Sequence, residues 1–343
     1  MQRRQFIKLT AGTAALPLVS GCSNDHVVSV DTSLPVSEFG SESTALEVTE
    51  GLDLSGKTAL VTGCNSGIGF ETMRVLALRG VHVFGTGRTL EKAQAACAQV
   101  QGNTTPLALE LSDFQSAVDC AAAAENALAQ MDKPLDMLIC NAGVNFVDFE
   151  LINGVEKTFV INHLGHFVLV NNLLAALNAG PNGRVVHVGS RSGYRTAPDG
   201  FDFAHLSGDA AREHYDANFA YGRSKLANAL FSLQLSKNFA GSTTTSNVIH
   251  PGLVKTNIAR NAPSLIRGAF NMLGGVIAKT PAQGAATQVY VATNPKMNGV
   301  NGAYFEDCNP VTIEGPNHFF DEAMAKALWD VSVEMTDGFL IEA

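Results

Sequence analysis

Basic residues are scarce in this sequence. It contains 23 Lys and Arg against 32 Asp and Glu, which gives a net charge of −9 at pH 7, and no run of Lys or Arg follows the first eight residues. Because nucleic-acid binding needs a basic patch that neutralises phosphates, the sequence predicts no nucleic-acid partner. With 46% hydrophobic and 16% charged residues, the composition is typical of a globular chain with a large core.

Cysteine is also sparse, and its spacing excludes most cysteine chemistry. There is no C-x-x-C pair and no histidine at metal-ligand spacing near any cysteine, so we predict no metal site. Most of the cysteines lie in apolar runs, where a thiol behaves as a small hydrophobe, and buried free thiols are expected. These are Cys64, Cys97, Cys120, Cys140 and Cys308. Cys22 belongs to a different pattern.

A hydrophobic run long enough to cross a membrane is missing near the N-terminus. The apolar stretch from Leu9 to Ser20 is too short to span a bilayer. It follows RRQFIK from Arg3, which resembles the twin-arginine export motif, and it ends in VSGC at Cys22, which resembles a bacterial lipobox. We interpret residues 1–22 as a signal for export to the periplasmic side of a bacterial cell envelope, with a lipid on Cys22 as the membrane contact. The alternative is a frayed basic helix on a cytoplasmic protein.

The rest of the chain divides into a linker and one domain. Residues 23–50 are rich in Ser, Thr, Glu and Val without a sustained period, which predicts a flexible linker. Residues 51–343 alternate short apolar runs with longer helical patterns and show no internal repeat. This alternation predicts an α/β fold, a single doubly wound Rossmann-type domain whose seven-stranded sheet is mostly parallel.

The seven predicted strands are Thr58 to Thr62, Val81 to Thr86, Pro106 to Leu111, Leu135 to Cys140, Arg184 to Gly189, Thr245 to His250 and Ala303 to Phe305. The predicted crossover helices include Ile68 to Arg79, Leu90 to Gln101, Phe114 to Met131 and Tyr221 to Phe239. Ligands of such sheets bind at the carboxyl ends of the strands, where the strand order reverses. We therefore expect the functional residues to cluster at that edge.

A glycine-rich segment, TGCNSGIG, joins the first strand to the first helix. Gly63 permits a tight turn, Gly67 lets the backbone approach a diphosphate, and Gly69 allows close helix packing. The helix N-terminus supplies unpaired N–H groups for the anion. The segment therefore predicts a dinucleotide site formed by Gly63, Asn65, Ser66, Gly67, Ile68 and Gly69; the alternative is a merely tight turn.

The end of the second strand indicates which dinucleotide binds. A carboxylate at this place would hydrogen-bond the ribose diol of NAD, but the chain has GTGR here and no acid before Glu91. Arg88 offers a permanently charged, planar fork to a 2′-phosphate. The sequence favours NADP over NAD, unless Arg88 is only a solvated residue at the start of a helix.

Four polar residues are candidates for proton chemistry. Tyr221 and Lys225 are four residues apart in a helical pattern and share one face. A neighbouring ammonium favours the ionised phenol and would bring its pKa closer to working pH, although such a pair often only covers surface. Ser190 directly follows a predicted strand and could hydrogen-bond a substrate oxygen. Asn162 lies in a helical pattern, where its amide could hold a kink or a water.

The two histidines beside Asn162 have a simpler interpretation. His163 and His166 are three residues apart, but no carboxylate accompanies them. We therefore expect core or surface histidines and not metal ligands.

Together these motifs resemble the short-chain dehydrogenase/reductase family from Leu52 to the C-terminus. The resemblance rests on TGCNSGIG, on NAG at Asn141, on the set of Asn162, Ser190, Tyr221 and Lys225, and on Pro251-Gly252 after the sixth strand. The segments NHLGHF, YxxSKLAN, HPGLVKT and YFEDC are similar to the branch that contains retinol dehydrogenases, WW-domain oxidoreductases and protochlorophyllide reductases.

The resemblance implies hydride transfer between NADP and a carbonyl or alcohol carbon. Tyr221 would exchange the proton, Lys225 would lower its pKa and hold ribose hydroxyls, Ser190 would orient the substrate, and Asn162 would support a water relay. Further cofactor contacts implied by the family are Glu110, Leu111, Asn141, Ala142, Gly143, Pro251, Gly252 and Thr256. The family often has Asp where this chain has Glu110. Helices of such domains often pair between subunits in the family, so the resemblance is compatible with a homo-oligomer but does not determine the oligomeric state.

The segment 191–220, between Ser190 and Tyr221, is longer than in many family members. Its aromatic residues, and the apolar run LIRGAFNMLGGVIA after Pro251-Gly252, predict an apolar wall for a small or medium-sized lipophilic substrate; alternatively, they pack the segment onto the core. The aromatic residues are Tyr194, Phe201, Phe203, Tyr215 and Phe219. The alternative function is a non-catalytic NADP-binding or redox-sensing protein on the same fold. An epimerase or dehydratase is disfavoured by the glycine spacing and the short C-terminal region.

Overall fold

A computed structural model describes residues 26–195, 200–254 and 278–341. Within these residues, nine strands form one sheet in the order β1-β11-β10-β9-β8-β5-β2-β3-β4, and two short strands form a separate hairpin. The strands are β1 Val27–Val30, β2 Thr58–Val61, β3 His82–Gly87, β4 Thr104–Ala108, β5 Met137–Cys140, β6 Leu151–Ile152, β7 Val155–Glu156, β8 Arg184–Val188, β9 Thr245–His250, β10 Tyr304–Glu306 and β11 Asn309–Glu314. The predicted doubly wound, mostly parallel α/β fold is confirmed.

The strand order reverses beside β2. From β2 the chain runs outward through β3 and β4, then returns to β5 on the other side of β2 and continues outward through β8, β9 and β10. Strands β3 and β5 both pair in parallel with β2, with Thr58 opposite His82 and Ala59 opposite Met137. A crevice therefore opens at the carboxyl end of β2, between the segments that follow β2 and β5.

Helices cover both faces of the sheet. The α-helices of the described residues are α1 Gly67–Leu78, α2 Leu90–Cys97, α3 Phe114–Met131, α4 Lys157–Phe159, α5 Gly165–Asn171, α6 Leu174–Asn178, α7 Ser192–Arg195, α8 Gly208–Glu213, α9 Ala217–Asn238, α10 Pro281–Thr293 and α11 Glu322–Met335. Successive residues of β2 point to opposite faces. Leu60 joins the core cluster under α3, α5 and α9, whereas Ala59 and Val61 join the cluster under α1 and α10.

The predicted linker over residues 23–50 is wrong for residues 26–50. Val27 to Val30 pair antiparallel with β11, and Ala45 and Val48 are buried against the sheet. The ring of Phe39 packs 5.9 Å from that of Tyr290 on α10. These contacts are with residues about 240 to 290 positions further along the chain, which no local pattern reveals.

The sheet has two more strands than the seven that the sequence predicts. One is β1, in the supposed linker, and the other is β11, whose sequence NPVTIE contains a proline. Proline disfavours a central strand because it lacks the N–H that a strand donates. Pro310, however, is the second residue of β11, opposite Phe305, just after the chain turns back from β10. Both additional strands are antiparallel to their neighbours and extend the sheet beyond β10.

The described cysteines are free and buried, as predicted: Cys64, Cys97, Cys120, Cys140 and Cys308. No helix among the described residues combines the length and the apolar character that a membrane span requires. The signal-like residues 1–22, including Cys22, lie outside the described part of the chain.

Candidate active site

The glycine loop forms a backbone cradle between β2 and α1. Gly63 and Gly67 have φ of +75° and +62°, which other residues rarely adopt. A Cβ on Gly69 would lie 2.3 Å from the carbonyl oxygen of Gly63, so only glycine allows the helix to start this close to the strand. Ser66 precedes the helix with extended backbone and does not cap it with its side chain. The first N–H groups of α1 can therefore bind an anion.

Three other predicted residues of this loop lie around the cradle. Asn65 and Ser66 are exposed, and Ile68 is half-buried. The loop is also tied to β3, because the Gly63 N–H donates to Thr86 Oγ1 at 3.1 Å and the Cys64 N–H donates to Thr86 O at 2.8 Å. These hydrogen bonds fix the glycine loop next to the end of β3.

Arg88 immediately follows β3 and is exposed. Among the described residues it forms no ion pair, so its guanidinium can bind a ligand. The strand that precedes it approaches α2 closely, since a Cβ on Gly87 would lie 2.8 Å from the Ala93 nitrogen. The structure therefore places a free cation where the sequence predicts a 2′-phosphate contact.

The NAG segment after β5 forms the opposite wall of the crevice. The hydroxyl oxygen of Thr62, at the end of β2, accepts the N–H groups of Asn141 at 2.9 Å and Ala142 at 2.8 Å. The Asn141 side chain donates to Thr62 O at 2.8 Å. At Gly143, a Cβ would lie only 3.3 Å from Lys225 Nζ. The predicted cofactor residues of β2 and β5 thus share one site, which adjoins the lysine.

Glu110 and Leu111 lie after β4 and not within it, because the strand ends at Ala108. The Glu110 carboxylate accepts the N–H of Ser112 at 3.1 Å and its hydroxyl at 2.7 Å. Leu111 is buried, and its carbonyl oxygen would be 2.3 Å from a Cβ on Gly165. These contacts fix the turn before α3, next to the helix that follows Asn162.

Asn162 lies in a π-helical turn, Val160–Leu164, between α4 and α5. Its Oδ1 accepts the Val144 N–H at 2.8 Å, and its Nδ2 donates to Val144 O at 2.9 Å and to Ser224 Oγ at 2.9 Å. The predicted kink is therefore present. The Asn162 amide joins the segment after NAG to helix α9, which carries Tyr221 and Lys225.

Ser190, Tyr221 and Lys225 meet beside this segment. Helix α9 begins after Asp216, whose carboxylate accepts the N–H groups of the first turn and fixes the start of the helix. The Ser190 hydroxyl lies near enough to the Tyr221 phenol to lower its pKa. Lys225 Nζ lies 5.7 Å from the centre of the Tyr221 ring and donates to Val188 O at 3.0 Å. The three predicted residues are thus brought together.

Burial determines the proton affinities of this group. It raises the pKa of Tyr221 to about 12, and the nearby Ser190 hydroxyl opposes the rise. It lowers the pKa of Lys225 to about 8, since this residue is only 2% exposed. The expected lowering of the Tyr221 pKa by Lys225 is not found in the protein alone, because the ammonium bonds to Val188 O and desolvation dominates at the phenol.

Sequence reasoning missed a second function of His166. This residue is buried, as expected, and burial lowers its pKa to about 4, so it is neutral. Its ring bonds Thr62 Oγ1 through Nε2 at 2.9 Å and Asn162 O through Nδ1 at 3.1 Å. Because Thr62 already accepts two N–H groups, we assign its hydroxyl as donor to Nε2, which leaves Nδ1–H for Asn162. His166 therefore connects the NAG wall to the Asn162 turn.

His163, by contrast, is a core residue. It is buried, burial lowers its pKa to about 3, and its Nε2 lies 2.7 Å from Ser332 Oγ on α11. The prediction of a core histidine is confirmed. The motif NHLGHF indicated both residues, but only the fold distinguishes a core contact from a contact with the site.

The Pro251-Gly252 turn follows β9. Gly252 has φ of +88°, and a Cβ there would lie 2.8 Å from Lys279 Cδ, so the turn needs glycine. Pro251 is half-buried beside it. Thr256, the predicted nicotinamide contact, lies outside the described residues.

Comparisons with known proteins identify the family of this chain. Residues 57–201 match the family described as short chain dehydrogenase. The chloroplastic short-chain dehydrogenase TIC 32 B of Brassica napus is 38% identical over 313 residues, which cover 88% of this chain and 95% of the relative. The chain belongs to the short-chain dehydrogenase family. The retinol dehydrogenase 14 of Homo sapiens is 34% identical over 303 residues, 82% of this chain and 87% of that protein.

Two solved structures have the same fold as this chain. An uncharacterised protein from Mycobacterium paratuberculosis superimposes with a TM-score of 0.63 at 29% identity and covers 84% of this chain and 96% of its own. The angucycline C-6 ketoreductase LanV, solved with bound NADP, has a TM-score of 0.58 at 23% identity, over 74% of this chain and 94% of its own. The predictions of a short-chain dehydrogenase/reductase and of an enzyme are confirmed.

Segment 191–220 carries the five aromatic residues of the predicted apolar wall. Tyr194 is fully buried, with its ring 5.4 Å from that of Phe319. Phe201 and Phe203 stack on each other at 5.4 Å and pack against the core. For these three residues the alternative interpretation, packing onto the core, is confirmed.

The other two aromatic residues of segment 191–220 lie nearer the site. The Tyr215 hydroxyl donates to Phe146 O at 3.2 Å, so it holds the segment after NAG. Phe219, two residues before Tyr221, is 50% exposed. Most of the apolar run LIRGAFNMLGGVIA lies outside the described residues. Of the predicted apolar wall, the described residues therefore include only Tyr215 and Phe219 near the site.

Proposed function

We propose that this short-chain dehydrogenase transfers hydride between NADP and the carbonyl or alcohol carbon of a lipophilic substrate. The observation that carries the proposal is the position of Lys225, whose Nζ lies 5.7 Å from the centre of the Tyr221 ring, bonds Val188 O two residues before Ser190, and adjoins the NAG wall at Gly143. A protein that only binds a dinucleotide has no use for a hydroxyl pair and a buried amine next to the crevice. This favours an enzyme over a redox-sensing binder.

The described residues fit NADP. The Gly63–Gly69 cradle and the start of α1 would hold the diphosphate, Arg88 the 2′-phosphate, and the walls formed by Asn141 to Gly143 and by Glu110 and Leu111 the adenosine side. Lys225 lies close enough to Gly143 to bond ribose hydroxyls. NADP, when bound, supplies or accepts the hydride.

In the reductive direction, Tyr221 gives a proton to the substrate oxygen. With a pKa of about 12 its phenol is protonated at neutral pH and can act as the donor. Ser190 donates a hydrogen bond to the same oxygen and stabilises the charge that develops there. The carbonyl carbon gains the hydride and the oxygen gains the Tyr221 proton, so an alcohol leaves. Lys225 stabilises the resulting phenolate, and Asn162 supports its reprotonation through water.

Exposed apolar side chains favour a lipophilic substrate. Val147, Phe219 and Leu253 are 41%, 50% and 51% exposed. They belong to the segment after NAG, the helix turn before Tyr221 and the turn after Gly252, all of which carry site residues. Exposed apolar groups beside a polar site are typical of ligand-binding surfaces.

The test is turnover of purified protein with NADPH and a panel of lipophilic aldehydes and ketones, followed by the absorbance of the reduced nicotinamide. We expect substrate-dependent oxidation of NADPH, and slower oxidation of NADH. Tight NADPH binding without turnover of any carbonyl, and without the reverse reaction on the matching alcohols, would support the non-catalytic alternative.

A further inference from the structure

An ion pair crosses the edge of the sheet directly beside Ser190. Arg191 follows Ser190, and its Nε donates to Glu306 Oε2 at 2.9 Å. A second guanidinium nitrogen of Arg191 bonds the same oxygen. The other carboxylate oxygen accepts the Tyr304 hydroxyl at 2.7 Å. Glu306, at the end of β10, is only 4% exposed, and Arg191 is half-buried.

The pair joins two strands that are not neighbours. Strand β9 lies between β8 and β10, so the Arg191 side chain passes over the end of β9 to reach Glu306. His250, the last residue of β9, is opposite Glu306. Burial lowers the pKa of His250 to about 4, so the ring is neutral and Arg191 balances the charge of Glu306. The next residue, Asp307, is held separately by Lys279 at 2.5 Å.

The backbone around Ser190 is held by the Gly189 N–H, which donates to Ile249 O at 2.8 Å, and by the Gly193 N–H, which donates to Ser190 O at 2.9 Å. The contacts of the Ser190 side chain are weaker. Within the turn, Ser190 Oγ bonds the Ser192 N–H at 3.2 Å and the Ser192 hydroxyl at 3.3 Å, both long for such contacts. The guanidinium contact to a buried carboxylate on another strand is the stronger and more directional restraint.

We propose that the Arg191–Glu306 pair is a positioning device that fixes the Ser190 hydroxyl at Tyr221. This inference rests on the proposed function, because it assumes that Ser190 acts on the substrate. Arg191 then affects the reaction only through Ser190, and the pair matters for the rate of the chemical step more than for NADP binding. Glu306 is as necessary as Arg191, because its carboxylate holds the Arg191 guanidinium in place.

The first experiment separates catalysis from binding. Arg191→Met keeps the side-chain stem and removes the fork, and we expect kcat to fall by about 10- to 100-fold. The dissociation constant of NADPH, measured by its fluorescence, should stay within about twofold of wild type, since the cradle is untouched. Arg191→Lys should recover part of the loss. The matched control is Arg74→Met, which breaks a similar half-buried Arg–Glu pair on α1, with Glu71, and should leave kcat unchanged.

The second experiment is a double-mutant cycle with Ser190→Ala. If Arg191 acts through Ser190, Arg191→Met should have little further effect on kcat in the Ser190→Ala background. Additive losses of kcat would overturn the proposal, as would an unchanged kcat for Arg191→Met in the otherwise wild-type protein.

Should Arg191→Met fold poorly, the double variant Arg191→Met with Glu306→Gln replaces it in the cycle, because it leaves no unpaired buried charge. If the wild-type protein is active and Ser190→Ala loses no activity, both this inference and the assigned role of Ser190 are overturned. If the wild-type protein is inactive, the proposed function itself is refuted.

Discussion

Lys225 is held in a state that favours reaction over stability. Its ammonium is buried at a cost in free energy, because desolvation lowers its pKa to about 8 while an unfolded lysine titrates above 10. An apolar side chain of similar length, such as methionine, would fill the same space without this free-energy cost. A buried amine that is kept despite the cost of its desolvation is typical of a functional group.

Lys225→Met should therefore stabilise the protein at neutral pH. The native state holds the proton less tightly than the unfolded state, so the penalty is complete below pH 8 and disappears as the pH rises through the window between the native and unfolded pKa values. We expect the variant to exceed wild type by about 1–3 kcal/mol in free energy of unfolding at pH 7. Urea titrations at pH 7 and pH 10 test this. If the difference in free energy of unfolding between the variant and wild type does not shrink at pH 10, the lysine carries no desolvation penalty in the native state.

Arg88 governs the choice between NADP and NAD in this account. Arg88→Ala should raise KM for NADPH by about 10- to 100-fold and change KM for NADH little, because only NADPH carries the 2′-phosphate that the guanidinium binds. Lys92→Ala, which removes an exposed charge from the next helix, is the control. Equal effects on both nucleotides would refute the assignment.

The sequence predicted those chemical residues that lie in local motifs. Gly63, Ser190 and Tyr221 follow a strand or share a helix face, and such spacing can be seen without a fold. Thr62, His166 and Arg191 were not predicted as site residues. The partners of His166 and Arg191 are respectively 104 and 115 residues away in sequence, and nothing local identifies them.

At the scale of elements, the segment 26–50 belongs to the domain. Strand β1 covers β11, and Ala45 and Val48 fill the layer over α10 and the sheet. Prediction failed here because an isolated four-residue strand with no regular alternation has no local signal. The seven strands of the βα alternation were predictable, since continuous apolar runs separated by helices are visible in the sequence itself.

Two truncations test the role of this segment. Removal of residues 1–25 should leave the free energy of unfolding of the domain unchanged. Removal of residues 1–50 should lower it by about 2–5 kcal/mol, because it exposes the apolar surface under Phe39, Ala45 and Val48. Denaturant titrations of both proteins measure the difference. Equal stability would mean that the segment contributes as little as the linker that its sequence suggested.

At the scale of the molecule, the packed segment also limits where an anchor could lie. His26 is fixed at the edge of the sheet, with its Nε2 2.6 Å from Pro316 O. Only three residues separate it from Cys22, so a lipid on Cys22 would hold the domain within about 15 Å of the membrane surface.

If Cys22 is the anchor, Cys22→Ser should move the protein from the membrane fraction to the soluble fraction of the cell envelope, without changing turnover. Immunoblots of fractionated cells measure the distribution. The same distribution for both proteins would refute the lipid anchor and leave the basic-helix interpretation of the N-terminus.

The proposed reaction depends on a protein-bound phenol that gives its proton to the substrate beside NADP. The most direct measurement compares single-turnover reduction of a carbonyl substrate by wild type and by Tyr221→Phe, each loaded with NADPH. We expect the rate of the variant to fall by at least about 100-fold, with NADPH affinity within about twofold of wild type. Reduction by the variant at the wild-type rate would contradict the account.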